Sequence, residues 1–325
     1  MMLTKMDSSP KTFIITGGNS GLGYTCAKHI AKADSNFHVI LACRNAAKAN
    51  EAVHSLMKET KNTNITSLEL DLASLQSVRN FVSIFSSSDY PPLYALVCNA
   101  GLIMVDKTYY TQDGFESTFG INHLGHFLLA NMLLEKMIDS GRIVFVSSGT
   151  HDPAQKTIVA VPVYESASLL AYPKEMSSNK SMLTVGQRRY STSKLCNIYC
   201  AYELAERIQQ QTNKKITVNA FNPGQMPGTG FSRTFPPLMR FILKHLLPAF
   251  SLFRPNGNAV NKSGEALASL VLNPEHHETT GKYFDGSREI KSSEQSYDRE
   301  NRLDLWKTSV ELTKLNNRET ILSLD

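Results

Sequence analysis

Thr12-Phe13-Ile14-Ile15-Thr16-Gly17-Gly18-Asn19-Ser20-Gly21-Leu22-Gly23 is the stretch on which the architecture turns. Thr12–Thr16 reads as a short β-rich run, glycines punctuate the next seven positions, and a helical stretch follows to about Lys32. A strand that ends in a glycine-rich turn and opens into a helix gathers unpaired backbone N–H groups at one point. Such a point suits a pyrophosphate, with Gly17, Asn19, Ser20, Gly21, Leu22 and Gly23 facing it. The spacing, T-G-x-x-x-G-x-G, differs from the G-x-G-x-x-G form of that turn.

Outward from this turn the same rhythm repeats. Strand-like runs at His38–Cys43, Thr66–Leu70, Ala95–Asn99, Arg142–Ser147, Thr217–Asn222 and Gly281–Phe284 alternate with helical stretches. The helices are expected at Ala46–Lys58, Leu75–Ser86, Phe115–Ile138, Tyr190–Gln211 and Lys262–Leu272. Alternation of this kind means βαβ units, hence a doubly wound α/β Rossmann fold with a seven-stranded, mostly parallel sheet flanked by helices. Residues 1–325 are expected to form one such domain. Two segments break the rhythm: 149–189, read as an insertion, and 225–256, rich in Pro and Phe and read as a substrate lid.

With 42% hydrophobic residues the chain can close a sizeable core. A net charge of +5, spread along the sequence, gives no case for nucleic acid. Five cysteines without a C-x-x-C pair indicate neither a disulfide framework nor a zinc site. The N-terminus has no apolar core of a signal peptide and no window is apolar enough to span a bilayer, so a cytoplasmic, soluble protein is expected.

Ligands in open α/β sheets bind at the carboxyl ends of strands. The second strand ends in Cys43-Arg44 with no carboxylate at its tip, which favours NADPH over NADH because a guanidinium grips a 2′-phosphate. Asp71-Leu72 follows the third strand and Asn99-Ala100-Gly101 the fourth. Asp71 either accepts the adenine amino group or forms an ordinary turn; Asn99 either sits beside the ribose or braces the sheet edge. The spacing does not choose.

The chemical signal is Tyr190-Ser191-Thr192-Ser193-Lys194. Residues i and i+4 share a helix face, so phenol and ammonium point into one cleft. An adjacent ammonium favours phenolate, and the expectation is a Tyr190 acidified toward neutral pH.

The ordered set TGGNSGLG (Thr16–Gly23), NAG (Asn99–Gly101), the pair Ser147-Ser148, YSTSK (Tyr190–Lys194) and Pro223-Gly224 resembles the short-chain dehydrogenase/reductase family over about residues 12–290. The resemblance implies a catalytic tetrad of Asn122, Ser148, Tyr190 and Lys194. In it Tyr190 exchanges the proton, Ser148 holds the substrate oxygen, Lys194 binds the nicotinamide ribose and Asn122 holds a relay water. It also implies cofactor contacts at Pro223, Gly224 and Thr229. Ser147 and Ser148 face opposite ways, so one of them serves; the motif selects Ser148, with Ser147 as the alternative.

LACRN (41–45), LVCNAG (96–101), DGFESTFGINHLGHFLL (113–129) and SKLCN (193–197) are similar to the protochlorophyllide reductase-like and retinol dehydrogenase-like subgroups, and Ser148 and Tyr190 stand 42 residues apart, as in the first. Gln225, where the pigment enzymes carry a cysteine, and Arg188-Arg189 before Tyr190 speak against photochemistry. The expected activity is therefore NADPH-dependent reduction of a lipophilic carbonyl, or the reverse oxidation. Light-driven C=C reduction and a non-enzymatic dinucleotide-binding role are the rivals.

No metal is expected: His123 and His126, at i and i+3, read as helix packing, and Cys196 and Cys200 as apolar filler. The basic, apolar segment 236–255 reads as part of the lid or as a peripheral membrane contact. By analogy with the family, helices 115–138 and 190–211 would pair in a homodimer.

Overall fold

A computed structural model describes residues 9–155, 157, 159–174, 181–224 and 259–324. Among the described residues eight strands form one sheet: β1 Lys11–Thr16, β2 Phe37–Cys43, β3 Ile65–Glu69, β4 Leu93–Cys98, β5 Met137–Val146, β6 Thr217–Asn222, β7 Tyr283–Asp285 and β8 Arg288–Ile290. Their order is β3-β2-β1-β4-β5-β6-β7-β8, with every pairing parallel except β7–β8. The seven expected strands are thus joined by a three-residue antiparallel eighth, a hairpin partner with no helix between.

Side chains alternate across the sheet and both faces are covered. Ile14, Ile40, Leu96, Ile143, Phe145 and Val218 enter one apolar layer, while Phe13, Ile15, Val39, Val97, Val144 and Phe221 enter the other. Near-continuous apolar strands have this cause: each residue meets a helix whichever way it points. Helices α1 (Gly21–Ala33), α2 (Ala46–Thr60) and α8 (Ala259–Leu272) cover the second layer. On the first lie α3 (Leu75–Ser87), α5 (Gly125–Leu133), α7 (Met182–Gln211) and α9 (Arg299–Thr313).

The order reverses between β1 and β4, so their carboxyl ends diverge and open a crevice. The loops after β1, β4, β5 and β6 surround it.

Three elements differ from expectation. The helix expected at 115–138 is a short α4 (Ser117–Phe119), a π turn Gly120–Leu124 and α5, and the chain then enters β5 at Met137. Met137 pairs with Leu93 in the sheet, and apolar periodicity does not separate a helix's last turn from the next strand's first residue. Helix α7 begins at Met182, eight residues before Tyr190, inside the expected insertion. Gly186 makes this early start fit, since a Cβ there would lie 2.0 Å from the Met104 carbonyl oxygen. The rest of 149–189 that is described includes turns Gly149–His151 and Pro153–Gln155 and a short α6, Ala167–Ala171. Helix α9 had no counterpart in the sequence reading.

The expected lid, 225–256, lies outside the described residues, together with Gln225, Thr229 and segment 236–255. Among the described residues no helix is long and apolar enough to cross a membrane.

Candidate active site

Thr16 ends β1 and ties the crevice together. Its hydroxyl accepts the Asn99 and Ala100 backbone amides, both at 2.9 Å, and meets His126 Nε2 at 2.8 Å. His126 Nδ1 donates to the Asn122 carbonyl at 3.1 Å, so Nε2 is the acceptor and Thr16 donates to it. The ends of β1 and β4 and the π turn that carries Asn122 are one hydrogen-bonded unit.

The glycine turn is shaped by close approach. Gly17 has φ +64°, and a Cβ on Gly23 would lie 2.5 Å from Asn99 Nδ2 and 2.6 Å from the Gly17 carbonyl. Asn99 Nδ2 itself donates to the Thr16 carbonyl at 2.8 Å, so its side chain braces the sheet edge. Ser20 stands at the N-cap of α1 without a side-chain capping bond, leaving the first amides of the helix to face the crevice. Asp71 Oδ1 accepts the Ala73 amide at 3.0 Å, which is the turn-forming role. Arg44 is exposed at the tip of β2, and among the described residues it makes no ion pair.

The reacting groups meet above β5. Tyr190 and Lys194 are buried on α7, with the Lys194 Nζ 5.6 Å from the Tyr190 ring centre and donating to the Val146 carbonyl at 2.9 Å. Ile103, Val105 and Leu183 pack on the Tyr190 ring. The Ser148 hydroxyl hydrogen-bonds Tyr190, whereas Ser147, pointing the opposite way, donates to the Lys194 carbonyl at 2.7 Å. The choice left open between the two serines is decided by their alternation: Ser148 faces the phenol.

Burial pushes the Tyr190 phenol up from its ordinary value, with the Ser148 hydrogen bond opposing, and pulls Lys194 down to about 8. The expectation that the ammonium acidifies Tyr190 is corrected here. Lys194 is aimed at the Val146 carbonyl, and desolvation of the phenolate is the largest influence on Tyr190. Tyr190 therefore stays protonated at neutral pH, the form a proton donor needs.

The structure places Asn122 between the loop after β4 and α7. Its side chain accepts the Leu102 amide at 2.9 Å and donates to the Leu102 carbonyl at 2.9 Å and to Ser193 Oγ at 3.0 Å. These bonds take both Nδ2 protons and one of the two Oδ1 lone pairs, and do not by themselves displace a relay water. Asn122 clamps the loop after β4 to α7.

Two residues escaped the sequence reading. Asn222, closing β6, accepts the Gly149 and Gly224 amides at 3.0 Å each and donates to Asp285 at 2.8 Å, so the loops after β5 and β6 are pinned together. Pro223 is held through its carbonyl by Ser263 at 2.6 Å. His151 is the second, and the one signal for it was its place three residues after Ser148. Of the histidines that were read, His123 bonds Ser309 and His126 bonds Thr16, both as packing residues.

A doubly wound sheet with this crevice defines a dinucleotide-binding scaffold. The family model for short chain dehydrogenases matches residues 11–168. The WW domain-containing oxidoreductase of Danio rerio is 34% identical over 315 residues, covering 96% of this chain and 71% of that one. Polyprenol dehydrogenase of Homo sapiens is 33% identical, covering 92% and 84%. Chloroplastic protochlorophyllide reductase of Daucus carota is 34% identical, covering 93% and 78%. Among solved structures, an uncharacterised protein of Mycobacterium paratuberculosis superposes with a TM-score of 0.68 at 26% identity, over 95% of each chain. A Shigella flexneri short chain dehydrogenase complexed with NADP gives 0.60 at 20%, over 87% of this chain and all (100%) of that one. The chain belongs to the short-chain dehydrogenase family of oxidoreductases.

Proposed function

We propose that the protein is an NADPH-dependent carbonyl reductase of lipophilic aldehydes and ketones, able to run in reverse as an alcohol dehydrogenase. The observation that carries this reading is the Ser148 hydroxyl against the protonated Tyr190 phenol, with Lys194 beside the ring, at the carboxyl end of β5 and across the crevice from the glycine turn.

When bound along Gly17–Gly23, Asn99–Gly101 and Pro223–Gly224, the dinucleotide supplies the hydride that the carbonyl carbon accepts. Tyr190 gives its proton to the carbonyl oxygen, and Ser148 donates a hydrogen bond to that oxygen as charge develops on it. Lys194, beside the Tyr190 ring, would hold the ribose and steady the phenolate that proton transfer leaves behind. Asn122 holds the loop after β4 against α7, which keeps Tyr190 aimed at the reacting atoms.

NADPH is favoured by Arg44, exposed with no ion pair among the described residues. A NADP complex of a relative with the same fold adds to it. A lipophilic substrate is favoured by two relatives whose names specify polyprenol and protochlorophyllide, both large apolar molecules.

The test is NADPH consumption in the dark with decanal, farnesal and nitrobenzaldehyde. Tyr190→Phe is expected to cut turnover about a thousandfold while NADPH fluorescence titrations stay unchanged. Wild-type rates in that variant would sink the assignment. Conversion of protochlorophyllide under illumination alone would replace it with photoreduction. Tight NADPH binding without turnover of any carbonyl would leave a non-enzymatic binding role.

A further inference from the structure

The peptide unit that follows Ser148 is gripped at both ends by side chains. Its N–H, on Gly149, donates to Asn222 Oδ1 at 3.0 Å. Its carbonyl, on Ser148, lies 2.7 Å from His151 Nδ1. The His151 ring is fully buried and faces Tyr283 at 4.9 Å. Its other nitrogen, Nε2, is 3.0 Å from the Ser293 backbone amide. A backbone N–H only donates and a carbonyl only accepts, so the ring is the neutral tautomer with its proton on Nδ1.

Ser293 is itself anchored to the helix that carries Tyr190. In the segment around it, Tyr202 meets Ser292 at 2.7 Å and Tyr199 donates to the Gln295 carbonyl at 2.8 Å. Gln295 in turn donates to the His151 carbonyl at 3.2 Å. Helix α7 thus places Tyr190 directly and reaches Ser148 by way of Ser293 and His151. The Thr150 amide donates to Ser148 Oγ at 3.3 Å, which uses an acceptor lone pair of the hydroxyl and leaves its proton for donation.

We propose that His151 is a positioning residue for Ser148: by fixing the Ser148 carbonyl against the α7-anchored Ser293, it holds the Ser148 hydroxyl in register with Tyr190. This rests on Ser148 acting on the substrate oxygen, as set out above.

The test compares His151→Phe, His151→Gln and His151→Asn with Ser148→Ala, using NADPH and the fastest of the three aldehydes. Asn keeps an N–H near the Nδ1 position; Phe and Gln lose it. The Phe and Gln variants are expected to lose about a hundredfold in kcat, the cost of a small misplacement, with KM and NADPH affinity unchanged. Asn recovers most of the loss. Ser148→Ala combined with His151→Phe is expected to be no slower than Ser148→Ala alone, because the two act as a unit.

Full kcat in the Phe or Gln variant, or additive losses in the double variant, would overturn the proposal and leave the function standing. Wild-type turnover in Ser148→Ala would instead remove the reading on which it rests. Nitrogen-15 NMR of the wild-type ring, which needs neither substrate nor a stable variant, is expected to show protonated Nδ1 and bare Nε2 at neutral pH. The opposite tautomer or the cation would overturn the proposal.

Discussion

Tyr190 and Lys194 sit one helical turn apart, and burial pushes both toward the uncharged form. The same desolvation acts on the histidines beneath them: His126 is drawn down to about 4 and His123 to about 3. Unfolding exposes these rings to water, where they take up protons below about 6.5. The unfolded chain then binds more protons than the folded one, so stability present above that pH is lost as it falls toward 4. For His126 alone the loss by pH 5 is about 2 kcal/mol. Urea midpoints at neutral and mildly acidic pH are expected to fall accordingly, and the fall to shrink in His126→Asn. Arg44 carries the second prediction at this scale. With its guanidinium exposed and no carboxylate at the β2 tip, Arg44→Ala is expected to weaken NADPH by roughly tenfold or more, as loss of a charge-assisted bond costs, and to spare NADH. Equal weakening of both in paired titrations would refute a 2′-phosphate contact.

Among the elements, the turn between β1 and α1 is the least forgiving. Gly23 lies where the first turn of α1 crosses the Gly17 carbonyl and Asn99, and a methyl group at 2.5–2.6 Å from both cannot be housed without moving the helix. Gly23→Ala is expected to cost about 1–3 kcal/mol in stability and to weaken NADPH in the same titration. Wild-type affinity would show that the turn does not hold the pyrophosphate. Gly125 is placed alike, its Cβ position 2.8 Å from the Leu72 carbonyl, so α5 runs hard against the loop after β3. The π turn just before it sets Asn122 inward, and an α-helical apolar pattern carries no warning of such a break.

At the scale of the whole molecule, α9 is what the sequence reading lacked. Trp306 and Leu305 are buried; the indole meets Phe127 edge-on at 5.0 Å and carries the Arg207 guanidinium 4.5 Å over its face. Residues 190–205 of α7 and nearly all of α5 are buried within one chain, under α9 and the segment around Tyr164. The homodimer expected through these helices would have to displace that cover. Trp306→Ala is expected to cost about 3–5 kcal/mol, read as a lowered denaturation midpoint, with the site chemistry retained at low temperature. An unchanged midpoint would mean that α9 is not part of the cooperative core.

The strand–turn–helix at Thr12–Ala33, the parallel sheet, the NAG segment and the Tyr190–Lys194 spacing were legible in the chain, because each depends on neighbours within one or two turns or on strands buried on both faces. Ser148 over Ser147, the protonated state of Tyr190, the clamped Asn122 and the roles of His151, Asn222 and α9 were decided by tertiary structure. Hydrogen bonds between residues 20 to 142 positions apart, and desolvation by a core assembled from every element, leave no periodicity in a sequence to read.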